Sequence, residues 1–558
     1  MFTCIYGLDC DPYPFYVGDG LDPWAFDWSW CFREDDCEPH MVCPISVHAS
    51  PMLSTLTPSV VSVQGRLKQH ENFWLNELGP SSFVAGIITE GYRLPFLRLP
   101  DPVFQLNHRS ALGNVSFVCD AIAELVSGRC VVECTSCPIV CSPLSVVTNA
   151  SGKQRLVMDL RYINQFLPDR KFKYEGLELV PTLFQSGDFF TTFDLKSGYH
   201  HVDIHEDSWP YLGFSWGSGT ARRWFMFRVL PFGLSTACYV FTKLLRPLVK
   251  RWRSKGLRCM IYIDDGIYAA DSQAECVEGT KMITDNLALA GFILNIPKSK
   301  LTPQQVGQWL GFIIDLLDGK FFVPKEKITK LCCAIDSALT SKLVPARLLA
   351  SIIGQVISMS LALGPVARLH TRALYDVLNS RRFWSEKLSL SALAYDEILF
   401  WKSSLPAFNG RPIWFSPGAT RVVFSDASAT GFGGFHNTVE IGPDIAHGQW
   451  SEYEASLSST WRELKAVAAV LNSFAPRLAG HRVKWFTDNQ NVVRIVEAGS
   501  KKQHLQIIAL SIFEACLQQS IRLDMEWIPR SLNDKADYIS RIRILMIGLS
   551  TPSFFFLD

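Results

Sequence analysis

The 558-residue sequence has no surplus charge of either sign: 54 Lys+Arg against 53 Asp+Glu leave a net +1, and charged residues make up only 19%. Global attraction to a polyanion is thereby excluded, so any such partner must be held by local patches. A secretory start is also lacking, because "MFTCIYGLDC" has neither a basic n-region nor a continuous apolar run. The sixteen cysteines are therefore expected as free thiols in a reducing compartment, cytoplasmic, nuclear or both. Long uncharged runs are scarce. The one of bilayer length, Leu348 to Ala367, contains Gly354, Gln355, Gly364 and Pro365, so a buried helix pair is expected and no membrane partner. No internal repeat is visible.

What is present is apolar side chain, 48% of the total, in a chain too long for one core, so three or four domains or subdomains are expected. Residues 1–65 read as an arm rich in Asp, Pro, Trp and Cys, of unassigned role. There Cys31, Cys37, His40 and Cys43 match no common zinc spacing, and scattered thiols are the simpler reading. Cys130, Cys134, Cys137 and Cys141 read as strand with a proline break. From 66 to 300 short strands alternate with helices in an α+β pattern. Residues 301–405 are mostly helical by apolar spacing, 406–419 read as a linker, 420–542 as a second α/β unit and 543–558 as a tail.

The stretch "RCMIYIDDGIYAA" sets two adjacent carboxylates, Asp264 and Asp265, between strand-forming flanks, with "DDG" as a hairpin signal. Apolar neighbours and like charge both disfavour ionisation of such a pair, and a bound cation resolves the conflict. Strand side chains alternate, so one carboxylate faces a site squarely and the other reaches it as the chain turns. A third acid is supplied by "FFTTFDLKSGYHHV", where Asp194 closes an apolar run before a turn containing Gly198. Brought together, these acids can hold two Mg²⁺ ions, Mn²⁺ being the alternative. Such ions, about 3.5–4 Å apart, activate an attacking hydroxyl and stabilise a leaving pyrophosphate.

The motifs "RLVMDLRYIN", "FDLKSGYH", "LPFGLSTACYVFTKLL", "YIDD", "NIPKSKL" and "WLGFIID" occur in the order found in reverse transcriptases. The chain resembles that family over about residues 66–400, closest to DIRS-type and gypsy-type LTR retroelements. The resemblance implies a right-hand polymerase of fingers, palm and thumb, with metal held by Asp194, Leu195, Asp264 and Asp265. It implies a triphosphate grip by Arg155 and Lys153, suited to phosphate by charge and, for arginine, by its bidentate fork; a surface pair of Arg155 with Asp159 is the plainer alternative. Tyr199 matches the steric gate that excludes a ribose 2′-hydroxyl, and core packing is its other reading. Phe232 and Gly233 match the loop beneath the nascent base pair, although retroviral enzymes carry Gln where Phe232 stands. Lys298, or its neighbour Lys300, matches the lysine that protonates pyrophosphate. Seven basic residues between Lys243 and Arg258, with no acid among them, suggest a contact with phosphate backbone.

A second set of acids follows. Asp426 ends the strand in "TRVVFSDASATGFGGFH", Glu463 lies at the margin of an apolar helix stripe, Asp488 ends another strand, and Asp537 lies on a short helix after Asn533. This strand, helix, strand, helix order of four acids resembles the RNase H domain of retroelements and implies a second two-metal site. Glu463 has a competing reading, since Thr460-x-x-Glu463 is also a capping box. Many family members place a histidine in the loop before the last aspartate, where this chain has "WIPRSLN" and Arg530 as the substitute.

Together the resemblances imply copying of RNA into DNA with hydrolysis of the RNA in the hybrid. RNA template, DNA or RNA primer, RNA–DNA hybrid and deoxynucleoside triphosphates are the implied partners, with other retroelement-encoded proteins as further ones. An RNA-templated RNA polymerase is disfavoured by Tyr199 and the attached nuclease. A catalytically decayed copy that only binds nucleic acid is the remaining alternative. No Asp-Thr/Ser-Gly protease triplet and no integrase or recombinase segment is recognisable.

Overall fold

The computed structural model describes residues 62–148, 152–414, 421–438 and 442–542. The cluster of Cys31, Cys37, His40 and Cys43, the arm up to residue 61 and the tail 543–558 lie outside the described residues.

The expected palm is a four-stranded antiparallel sheet in the order Lys300–Gln304, Phe189–Asp194, Asp265–Ala270, Arg258–Tyr262. The strand Phe189–Asp194 is buried from Phe190 onward, which is why "FFTTFD" reads as a run and not as an alternation. Helices Ala237–Ser254 and Gln273–Leu289 pack against the hairpin strands. The first buries Val240, Phe241, Leu244, Leu245, Leu248 and Trp252 as one stripe, each worth roughly 1.5–3 kcal/mol of burial. The strand Lys300–Gln304 belongs to this sheet, so a boundary at 300/301 cuts through a palm strand.

Ahead of and beside the palm stand a five-stranded sheet, which includes Val131–Cys134 and Val140–Ser142, and the antiparallel hairpin Leu144–Thr148 with Gln154–Met158. Pro138 lies between the two cysteine-bearing strands, as the break in "RCVVECTSCPIVC" indicates. Beyond the palm, a small sheet of Val306–Trp309, Phe312–Asp315 and Lys320–Phe322 precedes helices Lys325–Leu339, Ala346–Ser358, Arg372–Asn379 and Ala392–Phe408. The stretch Leu348 to Ala367 folds into this helical core, and no helix of the described residues is long and apolar enough to cross a membrane. The stretch 406–419, read as a linker, is partly regular structure. Pro406 lies inside the helix that runs to Phe408, and Arg411–Pro412 pairs with the strand Lys320–Phe322.

Residues 421–542 form a five-stranded sheet. Its antiparallel meander of Arg421–Ala427, Gly431–Thr438 and Gly442–Gln449 is continued by the parallel strands Arg482–Thr487 and Arg522–Trp527. Helix Ser459–Leu478 packs on this sheet and buries Leu464, Val467, Leu471 and Phe474. Gln506 donates to the carbonyl of Leu369 at 2.8 Å, which ties the unit to the helices before it.

Candidate active sites

In the palm the chain reverses at Ile263 and Asp264, between the paired residues Tyr262 and Asp265. The sequence suggested a turn at "DDG", but Gly266 is inside the strand. A Cβ there would lie 2.0 Å from the Phe193 ring, so the glycine serves close packing across the ladder and not the turn. The turn instead uses Ile263 at φ 57°, a conformation costly for a β-branched residue and worth about 1–3 kcal/mol of strain. Asp265 is the ladder partner of Asp194, and Asp264 stands in the turn beside them. The three carboxylates are thus gathered at one end of the sheet.

Backbone bonds hold this end in place. Leu195 N–H donates to the Asp264 carbonyl at 2.9 Å, Asn295 N–H to the Asp194 carbonyl at 2.8 Å, and Asp194 N–H to Ser299 Oγ at 3.1 Å. The Leu195 side chain is buried apolar surface, so only its main-chain oxygen can serve a cation. Burial, together with Asp265 and Asp194, pushes Asp264 up to about 7; burial and Asp194 raise Asp265 to about 6. Asp264 Oδ1 is buried without a hydrogen-bond partner. Lys298 Nζ stands 3.6 Å from Asp194 Oδ2, whereas Lys300 begins the next strand opposite Thr192.

The remaining polymerase candidates surround this end. Tyr199 is 6% exposed, its ring 5.1 Å from Phe232 and 5.4 Å from Phe241 between centroids. Its neighbour Gly198 approaches Asp264, whose Cβ would lie 3.2 Å from an added Cβ. Gly233 has φ 92°, so its loop conformation suits glycine. Lys153 precedes and Arg155 lies in the strand Gln154–Met158 of the two-stranded hairpin. Asp159 is bonded by Arg161 at 2.7 Å and His108 at 3.4 Å.

Two residues passed over in the sequence pin these loops. Asn164 donates to the Gly233 carbonyl at 2.9 Å and accepts from Ser235 N–H at 2.8 Å. His201 Nε2 accepts from Ile293 N–H at 3.2 Å and Nδ1 lies 3.2 Å from the Gly198 carbonyl; burial holds this ring neutral, with its pKa lowered to about 3. The signal for Asn164 was its place in "RYIN", but an asparagine there reads equally as a helix end.

The basic run from Lys243 to Arg258 is less free than its composition suggests. Arg251 pairs with Glu77 at 2.9 Å, Arg253 with Glu175 at 2.6 Å, and Arg258 with Asp188 at 2.6 Å. The compensating acids come from distant segments and were invisible locally. Arg246, Lys250 and Lys255 are the exposed members.

In the second unit the parallel pairing of Arg421–Ala427 with Arg482–Thr487 sets Asp426 and Asp488 side by side at the strand ends. Helix Ser459–Leu478 presents Glu463 from above. Ligand oxygens of Asp426, Glu463 and Asp488 lie within 4.8 Å of one another, the one such carboxylate, His or Cys group among the described residues. The capping-box reading of Glu463 fails: Ser458 is the N-cap, accepting from Trp461 N–H at 3.3 Å. Glu463 is 7% exposed, with Oε2 unpartnered. Burial, then Asp426 and Asp488, raise it to about 9, and burial with Asp488 and Asp537 raises Asp426 to about 6.

The fourth acid, Asp537, stands outside that close trio. Arg541 binds it through Nη2 at 2.7 Å and Nε at 3.0 Å, and Arg530 at 2.9 Å; Arg541 first and Arg530 next hold its carboxyl below the ordinary range. Asn533 donates to the Ser425 carbonyl at 3.0 Å, and Ser540 Oγ to Asp426 Oδ2 at 3.2 Å. In both sites buried, unpartnered carboxylate oxygens among like charges fit a divalent cation, which would complete their coordination and restore ionisation.

A right-hand polymerase followed by an RNase H-like unit is the class this architecture defines. A solved structure titled "Structure of the foamy viral protease-reverse transcriptase in complex with RNA/DNA hybrid" shares the fold, with a TM-score of 0.51 at 16% identity, covering 91% of this chain and 67% of that one. Residues 147–314 match the family model "Reverse transcriptase (RNA-dependent DNA polymerase)". The chain is 28% identical over 221 residues to the "Retrovirus-related Pol polyprotein from transposon gypsy" of Drosophila melanogaster. It is 26% identical over 250 residues to the "Transposon Tf2-3 polyprotein" of Schizosaccharomyces pombe (strain 972 / ATCC 24843). These matches cover 38% and 45% of this chain but only 20% and 17% of the polyproteins. The matched segment is a reverse transcriptase domain of the LTR-retroelement type.

Proposed function

We propose that the chain copies RNA, and DNA, into DNA and hydrolyses the RNA strand of the resulting hybrid. The observation that carries this reading is the gathering of Asp194, Asp264 and Asp265 at one end of the palm ladder within the segment that matches the reverse transcriptase family model. On this reading fingers and palm run from 66 through the strand Lys300–Gln304, with the 300/301 boundary moved past that strand, the helical thumb and connection follow to 405, and the nuclease spans 420–542. The DIRS-type affinity rests on the motifs alone.

Asp194, Asp264, Asp265 and the Leu195 carbonyl would hold Mg²⁺ in the polymerase, and Asp426, Glu463, Asp488 and Asp537 in the nuclease. When bound, the ions supply charge stabilisation at the attacking and leaving oxygens. The chain's own groups do the rest. Lys298 is placed to give a proton to the departing pyrophosphate, Lys153 and Arg155 neutralise the triphosphate, and Tyr199 crowds the sugar edge. Phe232 and Gly233, braced by Asn164, support the base pair by packing, with no amide at the Phe232 position. Template, primer and hybrid would be recognised by backbone shape and charge.

Purified chain with Mg²⁺, a primed RNA template and deoxynucleoside triphosphates is expected to extend the primer and shorten the RNA. No extension by the parent, with Asp264→Asn behaving identically, rejects the polymerase reading. Hybrid binding without any turnover favours a decayed copy that only binds nucleic acid.

A further inference from the structure

Tyr199 is fixed at both of its ends. Its backbone lies in the short turn Gly198–His201, close against Asp264 through Gly198, where an added Cβ would stand a tight 3.2 Å from the Asp264 Cβ. Its hydroxyl lies 2.9 Å from Cys238 Sγ, in the first turn of helix Ala237–Ser254. The same thiol interacts with the Tyr174 hydroxyl, and the Tyr174 ring stands 4.9 Å from Tyr262, the residue that opens the catalytic hairpin turn. Cys238 is thus a junction between the Tyr199 ring, the helix that supports the palm and the strand that leads into the Asp264 turn. A ring alone is enough to crowd a 2′-hydroxyl; the phenol oxygen has no steric duty. What that oxygen adds is an anchor.

We propose that Cys238 is a positioning residue for sugar discrimination, its thiol holding the Tyr199 hydroxyl so that the ring keeps the angle at which it excludes a ribose 2′-hydroxyl. This rests on the reading of Tyr199 as part of the nucleotide site, and it makes the selectivity of that site depend on a side chain that touches neither sugar nor phosphate. Phe232 and Phe241 limit the ring from two sides, so loss of the anchor frees a tilt and does not eject the ring. A neutral hydrogen bond of this kind accounts for about a three- to tenfold change in a binding ratio.

The test uses the full chain bound to a primed RNA template, in parallel on a dideoxy-terminated and an extendable primer, with dCTP and CTP titrated against each. C238A, C238V, C238S and Y199F are compared with the parent, and C238A is combined with Y199F. C238V fills the space of the thiol without a hydrogen bond and serves wherever C238A leaves a destabilising hole. C238A and C238V are expected to narrow the preference for dCTP over CTP about three- to tenfold, chiefly through a lower KM for CTP. C238S is expected to keep the parental ratio, because its hydroxyl can hold the phenol. The double variant is expected to match the single ones, since both remove one interaction. Parental discrimination in both C238A and C238V, or additive losses in the double variant, overturns the proposal. A parent that binds dCTP over CTP on the blocked primer yet extends nothing refutes the polymerase reading, and Cys238 is then judged on the binding ratios. A parent that shows no preference for dCTP refutes the proposal as well.

Discussion

The two carboxylate clusters solve the same electrostatic problem with different materials. In the palm, Asp194 and Asp265 are direct partners on one ladder, Asp264 is the next residue, and Lys298 supplies a single positive charge at 3.6 Å. In the RNase H-like unit, acids from two strands and a helix close to within 4.8 Å, and Arg530 and Arg541 both bond Asp537. This trio, tempered by Arg462 and Arg530 through charge alone, still carries the stronger perturbation, about 9 at Glu463 against about 7 at Asp264. A site built from one ladder is placed by local geometry and tempered by a lysine. A site built from separate elements is placed by tertiary packing and would lean more heavily on a bound cation.

The largest effect should come from breaking one cluster while sparing the other. Asp264→Asn is expected to lower primer extension about 10³-fold or more, the consequence of losing several kcal/mol of metal-supplied stabilisation. Hybrid cleavage by the same variant should stay within about twofold, because the clusters share no residue. Asp426→Asn should give the mirror image. Measuring both activities on each variant checks the separation; a joint loss would mean that one cluster serves both reactions.

Next in size is the response to Mg²⁺ as pH changes. These carboxyls have folded pKa values above their ordinary ones, 3.8 for Asp264 and 4.5 for Glu463. The stability this gives is whole below about pH 4 and is lost as pH rises through about 7 at Asp264 and about 9 at Glu463. Without divalent cation the chain should therefore melt at a lower temperature at pH 8 than at pH 6. One fixed Mg²⁺ concentration, about 100 times the Kd at pH 8, restores about 3 kcal/mol there and less at pH 6, where protons compete for the same carboxylates, so the gain in Tm on adding it should be larger at pH 8. Glu463→Gln should remove more of the pH dependence than Asp264→Asn does. Equal Mg²⁺ gains at both pH values would refute this account.

A backbone lever distinguishes the clusters more mildly. Gly266→Ala forces a methyl into the Phe193 ring and should destabilise by about 1–3 kcal/mol, with loss of extension beyond the loss of fold as the hairpin shifts against Asp194. Denaturant melts beside both activity assays would read this; a variant as stable as the parent contradicts the packing role given to the glycine.

The palm was the more legible of the two. Its strand ends, its acids and the hairpin all lie in short quoted motifs, because ladder partners announce themselves by apolar flanks and a turn. What the residues near Asp264 hid was the turn's true position, since an isoleucine at positive φ violates the local preference that would have located it. Gly266 drew the eye to the wrong place because glycine serves turns and close packing alike. The acids of the RNase H-like unit were readable as an ordered set, but not the engagement of Asp537 by Arg541, which depends on side-chain reach along a short helix. The basic run from Lys243 to Arg258 misled for a related reason: Glu77, Glu175 and Asp188 are remote in sequence and meet it only after folding.

The smallest effect concerns how Glu463 is presented. The sequence allowed Thr460 to cap with Glu463 as its reciprocal partner, which would have spent the carboxylate on the helix's own backbone. The cap is Ser458 instead, two residues earlier than that pairing needs, and Glu463 is left to the cluster. Ser458→Ala should cost about 1 kcal/mol and lower cleavage through fraying of the helix start, while extension stays at the parental level. Thr460→Ala should change stability by no more than a few tenths of a kcal/mol, as expected of a residue without a cap to lose. If Thr460→Ala proves the costlier of the two, Glu463 is engaged in a capping box after all. The second cluster would then have to work with its remaining aspartates.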